Sequence, residues 1–162
     1  MTGMTGPIHS RSEAATGEPI AAWLRHTEAA FFRAMNAVLE PAVRAGFGSP
    51  GLFPTGMIVL ETIGTRSGQP SRVPVMASVL EGCVFVGTLR GARSQWMANL
   101  RRRGEARYWV AGRERRGRAI VFAPGAPLPR TDGLPPLARA AADGLLPPAL
   151  LLGWMFAVIS PD

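Results

Sequence analysis

The sequence predicts an α+β domain that is mostly antiparallel β-structure, a small β-barrel with flanking helices. Short β-rich runs between residues 57 and 122 are separated by glycine-containing turns at Gly64–Gln69, Glu81–Gly82 and Ala111–Gly112. Helical periodicity is confined to the flanks and to one insertion after residue 94. The length of 162 residues suits a single domain with a proper core.

Residues 1–18 are rich in Gly, Ser, Thr and Pro and read as a disordered leader, with one domain over 19–162. Ile20, Leu24, Phe31, Met35, Val38 and Ala42 share a helical period, and Pro41 is expected to end or kink that helix near Glu40. This helix is expected to dock on the barrel or to make peripheral contact with a membrane. A Gly/Pro connector over 46–56 leads to the strand 57–62, and the turn 64–70 to the strand 71–80. In that second strand Arg72, Pro74 and Met76 point one way and Ser71, Val73 and Val75 the other. Pro74 has no N–H, so the strand is at an edge or irregular there.

Residues 83–88 form the next strand, and a basic loop over 89–93 follows. Ser94 is the expected N-cap of a helix from Gln95 to Arg103 that Gly104 ends, with Trp96, Asn99, Leu100 and Arg103 on one face. Trp96 and Leu100 read as core anchors and Asn99 as a hydrogen-bonding partner of a neighbouring loop. The last hairpin is 106–110 with 113–122. A proline-rich connector and a short helix over 137–143 precede the apolar stretch 145–159. That stretch closes the barrel, walls a pocket or packs on a second copy in a homodimer, since it must be covered.

Composition excludes several chemistries. All 18 basic residues are arginine, and the net charge of +7 suits an anionic partner. Cys83 is the sole cysteine, His9 and His26 the sole histidines, and the acids are scattered. A Ser-His-Asp triad, a paired-carboxylate glycosidase and a multi-histidine or cysteine metal site are hard to assemble from these residues, so no metal is expected. A cofactor or the shape of a pocket must then carry any chemistry, and no residue stands out as catalytic. No secretory signal or convincing membrane span is visible, which leads us to expect a cytoplasmic protein.

The turn Gly64-Thr65-Arg66-Ser67-Gly68-Gln69-Pro70 combines an arginine, a hydroxyl and at least two uncommitted backbone N–H groups. Such a cluster can hold a phosphate or carboxylate. In order, this turn, the run Ser71-Arg72-Val73-Pro74-Val75, the Glu81-Gly82 turn and Trp96-Met97-Ala98-Asn99-Leu100 resemble the deazaflavin (F420)-dependent nitroreductase and quinone-reductase family. The resemblance spans roughly residues 57–122 and implies a split β-barrel. It implies that Arg66, Ser67, Gly68, Arg72, Thr88, Arg90 and Trp96 bind coenzyme F420, with Met76, Tyr108 and Trp154 in the substrate pocket. Hydride would pass from the reduced cofactor to a quinone, nitro compound or enone. Tyr108 and Thr88 are the candidate proton donors.

The chain departs from the family pattern. Thr65 stands where a second basic residue is frequent, Leu89 replaces a hydroxyl, Ser94 a proline and Met76 an aromatic. These departures keep open a cofactor-independent cyclase or isomerase that works by the shape of an apolar pocket. A nucleic-acid binder ranks last, because no recognition helix or interleaved aromatic stripe accompanies the arginines.

Overall fold

Six strands, each antiparallel to its neighbours, close into a barrel in the computed structural model, which describes residues 37, 39–50 and 55–162. They are β1 (Thr55–Ile63), β2 (Pro70–Leu80), β3 (Cys83–Thr88), β4 (Glu105–Val110), β5 (Arg113–Phe122) and β6 (Met155–Pro161), in the order β1-β2-β3-β6-β5-β4. A 3₁₀ turn at Gly91–Arg93 leads into α1 (Gln95–Arg103), and α2 (Pro136–Leu151) precedes β6. The leader and most of the amphipathic segment expected from Ile20 lie outside the described residues.

The barrel is not uniformly zipped. β1 and β2 pair along their whole length, from Thr55 with Ser78 to Ile63 with Pro70. β2 and β3 pair only over Ala77–Leu80 with Cys83–Val86. Gly87 and Thr88 instead pair with Phe156 and Met155 on β6 alone. Residues 70–76 of β2 therefore have one open edge, and Pro74 sits on it, where a missing donor costs no ladder bond. This opening is the split in the barrel.

Alternation sorts the side chains between two faces. Ile58, Leu60, Val75, Ala77, Val84, Val86, Tyr108, Ala157 and Ile159 form the interior, with Met97 and Leu100 of α1 packed among them. Each fully buried Leu or Ile side chain there contributes about 1.5–3 kcal/mol. Outside, Phe122, Val158 and Cys83 lie under Ala138, Ala142, Leu146 and Leu150 of α2. Val59 and Trp109 pack on Val43.

Several sequence expectations need correction. The helical residues 39–44 run on through Pro41, and the Ala45 N–H donates to the Pro41 carbonyl at 3.0 Å. The proline removes only its own N–H donor, and the turns after it continue. Ser94 stands at the N-cap of α1, but its side chain makes no capping bond. Gly104 does end that helix, in the left-handed region at φ 68, with its N–H on the Leu100 carbonyl. α2 is longer than the expected 137–143 and carries Pro147 and Pro148 inside it. Burial of Leu146 and Leu150 against the sheet offsets the hydrogen bonds those prolines remove. Glu81 supplies the missing cap of α2, its Oε2 accepting from the N–H groups of Leu137 (2.8 Å) and Ala138 (3.1 Å). The apolar stretch 145–159 divides between α2 and β6, and β6 closes the barrel between β3 and β5.

Candidate functional site

α1 organises the site, because the two loops that carry candidate ligand-binding groups are both fastened to it. Asn99, 4% exposed, donates from Nδ2 to Thr62 Oγ1 at 3.0 Å and accepts the Thr65 N–H on Oδ1 at 3.2 Å. The second loop, 89–94, runs through the 3₁₀ turn directly into the N-terminus of α1. One side chain thus ties the 64–70 turn to the helix that the other loop opens.

An inventory of the turn's backbone donors shows what it can bind. Gly64 N–H donates to the Gln69 carbonyl, Gly68 N–H to the Gly64 carbonyl, and Gln69 N–H to Ser67 Oγ. Thr65 N–H is taken by Asn99. The N–H groups of Arg66 and Ser67 have no acceptor among the described residues, and both residues are exposed. The Arg66 guanidinium makes no ion pair with the described residues. Two adjacent N–H groups and one guanidinium without partners among the described residues are the donor types that can hold an anion.

Arg72 is differently committed. Its Nε donates to Glu61 Oε2 at 2.7 Å, and its guanidinium lies 5.2 Å from the Trp109 ring centre. Glu61 is 6% exposed and also faces Arg107 Nε at 3.4 Å, while Arg44 covers Trp109 at 4.8 Å. Arg72 therefore neutralises a buried carboxylate on the outer face of β1 and β2, which leaves only its outer nitrogens for a ligand. Thr88 ends β3, and its Oγ1 accepts the Arg90 N–H at 3.1 Å, which leaves the Thr88 hydroxyl proton available. Trp96, half-buried, packs against the barrel interior from the first turn of α1.

Met76 and Trp154 do come together, in an apolar groove of about 360 Å³ between the outer face of β2, β3 and β6 and the α2 helix. Phe85, Gly87, Leu145 and Phe156 line it as well. Trp154 stacks on Phe156 with centroids 5.6 Å apart and planes 11° from parallel. Gly87 is required here, since a Cβ at that position would lie 2.7 Å from the Phe156 ring. This volume falls in the range of small-molecule sites.

Tyr108, expected in the substrate pocket, is not in this groove. It is fully buried inside the barrel, opposite Leu60, and its hydroxyl has no hydrogen-bond partner. The reason is strand parity: Trp109 takes the outward position on β4, so Tyr108 must face in. Burial pushes its pKa above the ordinary 10.0, opposed by the Arg115 charge. The fold holds that proton more tightly than the unfolded chain does, so the associated stability is present below about pH 10 and is lost as the pH rises further. Tyr108→Phe removes an unpartnered buried hydroxyl and is expected to gain roughly 1 kcal/mol, or about 2–4 °C in Tm. Thermal melts at neutral pH and near pH 11 check both points, since the variant should also lose part of the alkaline decline.

Glu61 and Phe156 are the residues that sequence reasoning missed. Glu61 was legible: a hairpin that pairs Ile63 with Pro70 must pair Glu61 with Arg72. Phe156 depends on how α2 packs, which no local pattern announces. Among the described residues no cluster of three or more His, Cys, Asp or Glu could hold a metal ion. No helix among them is long and apolar enough to cross a membrane.

No curated protein matches the chain. Solved structures that the chain is distantly similar to include General Stress Protein 26 from Bacillus anthracis str. Sterne, at 16% identity and TM-score 0.42 over 65% of this chain and 79% of that one. A conserved hypothetical protein from Mycobacterium tuberculosis matches at 18% and 0.42, over 65% and 72%. A pyridoxamine 5'-phosphate oxidase-related, FMN binding protein from Nostoc punctiforme matches at 14% and 0.43, over 65% and 71%. The strand order and register above do not depend on these distant likenesses. The sequence model of one family matches residues 37–141, which include β1 to β5, the 64–70 turn and α1. On that match, the chain belongs to the F420H(2)-dependent quinone reductase family.

Proposed function

We propose that this protein is a deazaflavin-dependent reductase that transfers hydride from reduced F420 to an electron-poor small molecule, of the quinone, nitro or enone class. The observation that carries this reading is the pair of free N–H groups at Arg66 and Ser67 beside the free Arg66 guanidinium. The donor set suits the phosphate and acidic tail of F420, because it offers one fixed positive charge and two unpaired N–H donors to an anion. From the turn, the open edge of β2 leads over residues 70–76 to Met76 and the apolar groove. At about 3.3 Å per residue that edge spans roughly 20 Å, enough for an elongated cofactor with a flat ring at one end.

When bound, the reduced form of F420 would supply the hydride. The chain supplies position and exclusion of water. Arg66 and the turn amides anchor the anionic end, and Asn99 holds those amides in place through Thr65. Thr88 presents a hydroxyl and Arg90 a positive charge at the end of β3, beside the open edge. The groove between Met76, Trp154 and Phe156 offers an apolar surface to a flat acceptor, and a dry site strengthens every polar contact at its rim. No side chain is asked to act as a strong acid, which agrees with the lack of histidine and clustered carboxylates in the barrel.

Anaerobic mixing of protein, reduced F420 and menadione tests the reading. Protein-dependent return of the oxidised deazaflavin absorbance is the expected result. No acceleration over the protein-free mixture with any quinone, nitro compound or enone would overturn it. One observation favours a cofactor-independent pocket enzyme as the second reading: Arg72 is already engaged by Glu61, so Arg66 stands as the turn's one uncommitted guanidinium.

A further inference from the structure

Of the described residues that line the groove beside α2, none is charged and only Thr55 and Ser78 carry a hydroxyl. Strand parity brings those two together. Met76, Ser78 and Leu80 take the outer face of β2, while Val75 and Ala77 face the barrel interior. Ser78 pairs with Thr55 on β1 and with Phe85 on β3, so two hydroxyls and an aromatic ring stand in one row. Thr55 Oγ1 and Ser78 Oγ are hydrogen-bonded at 3.0 Å. Two residues beyond Phe85, Gly87 opens the floor of the groove. Its partner on β6 is Phe156, on which Trp154 stacks.

The chemistry of this row defines what the groove can hold. Each hydroxyl has one proton to donate and two acceptor positions. The Thr55–Ser78 bond consumes one of the two protons, so one O–H is left for a ligand. That O–H belongs to the hydroxyl that accepts the first bond, and accepting it polarises the group into a stronger donor. Cross-strand Thr–Ser pairs also support hairpins that bind nothing. This pair differs in its place, since it supplies the hydroxyls of a cavity of about 360 Å³ whose other described walls are apolar or aromatic. A charged ligand would lose its hydration there with no opposite charge to meet, whereas a flat ring can lie against Phe85 and the Trp154–Phe156 stack.

We infer that Thr55 and Ser78 are the polar binding groups of this groove, and that its ligand is an uncharged, flat ring compound with an oxygen acceptor at their end. The ring extends from the hydroxyl pair past Phe85 and Gly87 towards Trp154. That this compound is the hydride acceptor, with a carbonyl as its oxygen, rests on the reductase reading; its binding does not.

1-Tetralone and the hydrocarbon tetralin share two fused rings and differ by one carbonyl, and NMR titration of the full chain with each tests the inference. 1-Tetralone should bind about five- to tenfold more tightly, the worth of one net hydrogen bond, and should move the Trp154 indole signal, assigned with Trp154→Phe. In a Thr55→Val/Ser78→Ala variant that preference should vanish while tetralin binds as before. The two hydroxyls partner each other, so removing both orphans neither, and an unchanged Tm is expected. Equal affinity for the two compounds overturns the inference, as does a preference that the double variant keeps. Binding that leaves the Trp154 signal unmoved, or no binding of either compound at saturation in water, also overturns it. F420 titration of the same protein separates the two readings. A chain that binds F420 without preferring 1-tetralone loses this inference alone, and one that prefers 1-tetralone without binding F420 loses only the reductase reading.

Discussion

Replacing Asn99 with Ala is expected to cost about 2–4 kcal/mol of stability and to loosen the turn that carries Arg66. Asn99 is 4% exposed and makes two hydrogen bonds, to the Thr62 hydroxyl and from the Thr65 N–H. Truncation leaves the buried Thr62 oxygen without its donor and the Thr65 amide without its acceptor, and each orphan costs about 1–3 kcal/mol. Tm should fall by roughly 5–15 °C. F420 affinity should fall as well, although no atom of Asn99 need touch the ligand, because the free N–H pair of Arg66 and Ser67 is held by the Thr65 contact. Thermal melts and F420 titration of the same preparation check both effects. A normal Tm with normal affinity would show that the turn holds its shape without α1.

Arg66→Ala is expected to act on binding alone. The Arg66 side chain is exposed and makes no ion pair, so its loss should leave Tm unchanged. F420 affinity should fall by one to two decades, about 1.5–3 kcal/mol for a charge-assisted contact, and the remaining affinity should depend less on salt. Wild-type affinity in this variant would remove the turn from the site. Arg72 provides the contrast. Because it neutralises the buried Glu61, Arg72→Ala should lower stability together with any loss of affinity, whereas Arg66→Ala should separate the two.

The hairpins were legible because their signals are local. Glu81-Gly82 and Ala111-Gly112 turn where two-residue glycine turns are expected, with φ of 49 at Glu81 and Ala111. The helix 95–103 could be delimited from Ser94 and Gly104 alone. Pro74 announced an open strand edge, and β2 has one there. What the sequence concealed depends on tertiary contacts. Tyr108 and Trp109 are both large aromatics on one strand, and only the closure of β4 on β1 decides which of them faces in. The helix expected over 137–143 instead runs past Pro147 and Pro148, carried by burial of Leu146 and Leu150. Of the candidate binding residues, Arg66, Ser67 and Gly68 could be read as an anion turn from composition. The commitment of Arg72 to Glu61 required the register, and the groove at Met76 and Trp154 required α2 in place.

The measurement that bears most directly on the central claim is an equilibrium titration of the wild-type protein with oxidised F420, followed by quenching of its tryptophans. Trp96 opens α1 beside the second loop and Trp154 lines the groove, so two of the four tryptophans report from the proposed site. Saturable quenching with micromolar or tighter affinity, weakened by salt, is the result this account predicts. No quenching up to about a hundred micromolar, an affinity too weak for a working cofactor site, would contradict it. The barrel would then stand as an apolar pocket without a deazaflavin.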